Sequence, residues 1–158
     1  MSAGCVVVGV TPHQPDAVVL TAAEFAERFG VELVCAYVDA GNYPVDEDAD
    51  GNVRSRPVDA DAEDWPEGAF HSGMLARLPD LLDGCGLRWS TRTLAGDPAE
   101  ALARLAQRLE ASMIVIGTSR GSGRRNLRDF FNVSMGFRLA HRQHRPLVVV
   151  PLDPIGLE

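Results

Sequence analysis

At 158 residues, with 46% hydrophobic and 23% charged residues, the chain is long enough for one domain with a substantial core and too short for two. Its net charge of −7 argues against general nucleic-acid affinity. All 15 basic side chains are arginine, which removes a Walker A phosphate loop and Schiff-base chemistry, both of which need lysine. Charge is placed unevenly: residues 39–67 hold ten Asp or Glu against Arg54 and Arg56, and residues 118–146 hold seven Arg against Asp129.

The elements alternate. Cys5 to Val10 is a continuous apolar run of strand length, as expected where both faces of a parallel sheet are covered. It ends near Thr11-Pro12. Asp16 to Phe29 reads as a helix with Val19, Ala22, Ala23, Ala26 and Phe29 on one face and Gly30 placed to close it. Val31 to Val38 is a second strand. Residues 39–67 lack periodicity and read as a mobile acidic surface excursion with a hairpin turn at Asp50-Gly51. Residues 46–64 carry few large apolar side chains to offset ordering entropy, so the segment is expected to be dispensable for folding.

A helix follows from His71 to Asp83, with Leu75, Leu78 and Leu82 inward, Gly84 as its stop and a kink or late start expected at Pro79. Leu87 to Leu94 alternates as a strand exposed on one face, which suits a sheet edge. In Asp97-Pro98-Ala99-Glu100, Asp97 is placed to cap a helix, Pro98 fills its first position and Glu100 completes the box. Leu102, Leu105, Ala106 and Leu109 form its buried face. Met113 to Ile116 is a fourth strand, Phe130 to Arg142 a last helix, and residues 146–151 a fifth strand that Pro151 ends.

Cys5, Cys35 and Cys85 are odd in number, lie in apolar runs and have no metal spacing, so they read as reduced core residues. No apolar run approaches the roughly 18 residues of a membrane span. The expectation is a cytoplasmic, single-domain α/β chain over residues 1–158 that binds neither membrane nor nucleic acid and holds no metal.

Five strands and four helices in alternation imply right-handed crossovers and a doubly wound, Rossmann-like parallel sheet. Ligands in such sheets sit beyond the carboxyl ends of the strands, where the winding reverses. Gly117-Thr-Ser-Arg-Gly-Ser-Gly-Arg-Arg125 lies between a strand and a helix, so its glycines, helix-start N–H groups and arginines suit an anion; a solvated basic loop is the plainer reading. Arg138, His141, Arg142, His144 and Arg145 form a basic patch where cations meet a helix C-terminus, as the macrodipole favours. Trp65 and Trp89 read as packing residues, and His13 as exposed. No serine, histidine and acid spacing supports hydrolysis, and no catalytic residue is assigned.

Val6-Val-Val-Gly-Val10, Ala95-Gly96-Asp97-Pro98-Ala99 before a helix, Met113-Ile-Val-Ile-Gly117 with its Arg/Gly turn, and Arg145-Pro-Leu-Val-Val-Val150 together resemble the universal stress protein family from about Cys5 to Pro151. The resemblance implies an adenine nucleotide alpha hydrolase-like sheet of order 3-2-1-4-5, and a homodimer paired through the strand at Leu147–Val150. Some members bind ATP through a glycine, two residues, a glycine, nine residues, then a glycine followed by serine or threonine. Counted back from Pro146, those places fall on Arg120, Gly123, Val133 and Ser134. In a longer loop Gly117 and Gly121 serve instead. Thr11 stands where ATP-binding members usually carry an aspartate. The implied ATP site comprises Gly9, Val10, Thr11, Val38, Gly117, Arg120, Gly121, Gly123, Arg124, Val133 and Ser134. Two functions are implied: a nucleotide-binding stress-response regulator, and a dimeric interaction module that has lost the nucleotide.

Overall fold

The computed structural model describes residues 4–12, 14–57, 72–118 and 133–151. Strand β1 (Cys5–Val10) is buried along its whole length. It pairs in parallel with β2 (Glu32–Asp39) on one side and β6 (Met113–Thr118) on the other. β5 (Trp89–Ala95) joins β2, and β7 (Leu147–Pro151) joins β6, giving the order β5-β2-β1-β6-β7. This is the expected 3-2-1-4-5 sheet, with two labels taken up by a separate hairpin of β3 (Asn42–Glu47) and β4 (Val53–Pro57).

Side chains alternate across the strands, so the central run feeds two cores. Val6, Val8 and Val10 face α1 (Ala17–Phe29) and α2 (Ser72–Leu82), while Val7, with Val34, Ala36, Ile114 and Ile116, faces α3 (Pro98–Arg108) and α4 (Val133–Arg142). A fully buried valine or isoleucine contributes roughly 1.5–3 kcal/mol, which is why an apolar run with no polar alternation settles at the centre of the sheet. Gly30 takes φ 68° and closes α1, its N–H reaching Glu27 while that of Val31 reaches Ala26.

Several expectations are corrected. Phe29 is 54% exposed and stacks on Phe25 at the helix end; Val18 takes the inward place. On α2, Leu75 is exposed and Met74 is buried with Leu78 and Leu82, a rotation of the apolar face by one residue. Cys85 is exposed in the turn after α2, whereas Cys5 and Cys35 are buried. Burial pushes the Cys5 thiol up to about 11, with help from Glu32, and that of Cys35 to about 12, so both stay neutral and unreactive.

The acidic segment is ordered from Asn42 to Pro57 as an antiparallel hairpin turning at Asp48–Asn52, as Asp50-Gly51 suggested. Asp48 accepts from the backbone N–H of Asp50 and of Asn52 and from the Asn52 side chain, and these bonds hold its carboxyl below the usual range. The hairpin docks on the rest of the chain. Asn52 Oδ1 accepts from the Thr93 N–H of β5 at 3.1 Å, and Arg92 Nε donates to the Asp50 carbonyl at 2.5 Å. Arg108 on α3 donates to the Asp48 carbonyl at 2.9 Å and pairs with Glu47 at 3.0 Å. Residues 58–67, with Trp65, lie outside the described residues.

Candidate functional site

The sheet reverses its winding between β1 and β6. Val8 pairs with Val115, so continuing the register by two residues sets Val10 level with Gly117 at the carboxyl edge. Val10 also pairs with Tyr37 of β2, one residue before Val38. Gly9, Val10, Val38 and Gly117 are all buried there, and Thr11 is half-buried where the chain leaves the sheet. The turn after β1 is fixed by the Gln14 N–H donating to the Thr11 carbonyl at 3.2 Å and by Gln14 Nε2 donating to the Gly9 carbonyl at 3.4 Å. The sheet thus brings these five expected residues to one end.

Ser134 follows Val133 at the start of α4 (Val133–Arg142). Side chains of Val133 and Ser134 lie outside the described residues, as do His13 and the loop residues Arg120, Gly121, Gly123 and Arg124.

Asp97 does more than the expected capping. Its Oδ1 accepts the Glu100 N–H at 3.0 Å, and its Oδ2 binds the Arg138 guanidinium of α4. Arg138 is therefore half-buried and committed to the α3–α4 contact rather than free at the helix end. The remaining members of the basic patch, His141, Arg142, His144 and Arg145, stay at the surface end of α4 and the turn into β7. Sequence reasoning missed the Asp97 pairing because its partners are separated by 41 residues. Trp89 is half-buried and donates from Nε1 to Asp83 at 3.0 Å, a packing role as expected.

Two hollows border these elements. One of about 30 Å³ lies beside the β1 turn, lined by Thr11, Pro12, Gln14 and α2 residues including Arg77, which pairs with Asp16. Another, of about 470 Å³, separates the hairpin from the start of α3, with Val45, Val53, Leu94 and Leu105 inside and Asp46, Glu100 and Arg104 among its polar residues. Among the described residues no group of three or more His, Cys, Asp or Glu is arranged to hold a metal, and no helix is long and apolar enough to cross a membrane.

Comparison with known proteins identifies the fold. No curated protein matches the chain. Among solved structures it is similar to a universal stress protein from Archaeoglobus fulgidus, at 18% identity and a TM-score of 0.63, over 92% of each chain. A universal stress protein solved in complex with cAMP matches at 18% identity and 0.59, over 97% of this chain and 100% of that one. The Archaeoglobus fulgidus universal stress protein in complex with dAMP matches at 15% identity and 0.56, over 94% of this chain and 98% of that one. These likenesses carry the fold. The family model for the universal stress proteins matches residues 5–151, nearly the whole chain, and the chain belongs to the universal stress protein family.

Proposed function

We propose that this chain is a cytoplasmic stress-response regulator that binds an adenine nucleotide, ATP in the first instance, at the carboxyl ends of β1 and β6, and that it works as a homodimer. The observation that carries the reading is the convergence of Val10, Thr11, Val38 and Gly117 at the point where the sheet reverses, with the N-terminus of α4 leading away from the β6 side. Apolar Val10 and Val38 suit a base, and helix-start N–H groups suit phosphate. Relatives of the same fold have been solved with cAMP and with dAMP. Arg120, Gly121, Gly123, Arg124 and Ser134 are the proposed phosphate donors.

A second reading is favoured by two residues: Thr11 stands where ATP-binding members carry aspartate, and Val133 where they carry glycine. A branched side chain there narrows the approach of phosphate to backbone. On this reading the chain is an interaction module without nucleotide.

Calorimetry with ATP, ADP and AMP separates them. Nucleotide binding predicts saturable heat in the wild type, weakened by about 1.5–3 kcal/mol in Arg120→Gln, where one charged hydrogen bond is lost. It also predicts tighter binding when Thr11→Asp and Val133→Gly are combined. No heat in either the wild type or that double variant leaves the interaction module.

A further inference from the structure

A third groove lies between α3 and the connection from α4 to β7, bordering the hairpin hollow, with which it shares Glu100 and Arg104. Its lining includes the small, buried Ala103 and Ala111, and long side chains stand around them: Arg104 and Gln107 from α3, Arg142 from α4, and His144 and Arg145 from the connection. Small residues under long ones leave a hollow of about 840 Å³, open to solvent. Glu100 is the one carboxylate among its described lining residues. In a chain of net charge −7 this is a concentration of donors.

A backbone turn and a side-chain clasp hold the groove in shape. α3 ends in a Schellman turn, with the Glu110 N–H donating to Gln107 at 3.2 Å and the Ala111 N–H to Ala106 at 2.9 Å. The Ala111 carbonyl then points outward and accepts Arg145 Nε at 2.8 Å. Opposite, the Gln143 side chain clasps the Arg145 backbone from both sides, donating to its carbonyl at 3.0 Å and accepting its N–H at 2.6 Å. Arg145 is thus fixed through Nε, and among the described residues no carboxylate comes within ion-pair distance of its terminal nitrogens. Arg142 and Arg104 are held loosely, each 3.8 Å from a carboxylate of Glu100 and Glu47 respectively.

Macrodipole stabilisation accounts for Arg142 in the last turn of α4, but not for Arg104 on α3 or for the clasped Arg145. Three guanidinium forks, one from α3 and two from the end of α4 and the turn that follows it, line one open groove and suit negative charge repeated along a ligand better than a single ion. We propose that this groove binds an oligophosphate, with successive phosphates on Arg145, Arg142 and Arg104. It shares no residue with the nucleotide site proposed above and does not depend on it.

The test is titration of inorganic tripolyphosphate into the ¹⁵N-labelled full chain, followed by amide shifts. Saturable shifts at Gln107, Ala111 and His144 are expected. Arg142→Gln and Arg104→Gln, whose wild-type side chains are 49% and 65% exposed and so do not threaten folding, should each weaken binding about tenfold. Absence of saturable shifts, or unchanged affinity in both variants, overturns the proposal. So do shifts confined to Thr11 and Gly117, which would support the nucleotide site instead. Equal binding of citrate would overturn the assignment to phosphate.

Discussion

Glu110 occupies at the end of α3 the backbone conformation that Gly30 occupies at the end of α1. Both follow the last helical turn, both have positive φ, 51° and 68°, and both sit in the same pair of reversed hydrogen bonds. Glycine takes this conformation without steric cost, whereas a residue with a Cβ crowds the following carbonyl by roughly 1–2 kcal/mol. Part of that is offset because glycine has more freedom to lose on folding. Glu110→Gly is therefore expected to raise stability by about 0.5–1 kcal/mol, read as a higher urea midpoint at unchanged slope. A lower midpoint would mean that the glutamate side chain contributes a contact outweighing the backbone strain. The neighbouring groove should survive the change, since none of the bonds that hold it uses the Glu110 side chain.

At the scale of elements, the hairpin shows how an acidic, apolar-poor segment is held without a core of its own. It is pinned through its turn: Gly51 is buried with φ 91°, and a Cβ built on it would come within 2.9 Å of Leu105 Cδ1. Gly51→Ala should cost about 1–3 kcal/mol, chiefly through the backbone conformation, because the leucine tip can shift. Thermal unfolding is the measure, and an unchanged midpoint would mean that the turn contributes nothing to stability. Replacing residues 46–64 with a short linker becomes a graded question, since it would strip the Thr93 N–H of Asn52 and remove Val53 from the α3 side of the core. Hydrophobic runs buried on both faces, such as Cys5 to Val10, were legible because their pattern is local. So were the α3 cap at Asp97 and the sheet reversal that unites Thr11 with Gly117. The docking of the hairpin was not, because its anchors are Arg92, Arg108 and Asn52 rather than any apolar period. Arg138 was misread for the same reason: a charge near a helix end looks alike whether it meets the dipole or a distant aspartate.

At the scale of the whole molecule, the two edges of the sheet are treated differently. β5 is covered by the chain's own hairpin, which takes up the Thr93 N–H and lays Asp50 and Asn52 against the strand. β7, at the other edge, has Val149 43% exposed and Leu147, Val148 and Val150 only half-buried, with Phe137 of α4 67% exposed. The strand carries no charged side chain to discourage pairing. An apolar edge of this kind is a ready site for a second copy, and two identical strands meeting about a two-fold axis must run antiparallel. The homodimer proposed above would then extend the sheet through β7 and leave both hairpins at its far ends. Light scattering at micromolar concentration should give a dimer, with an interface above about 1,000 Å² in a crystal. Val149→Lys should shift it to monomer, because a charge would be buried where two strands meet. A wild-type monomer at that concentration, or a Val149→Lys chain that still dimerises, would place the contact elsewhere or remove it.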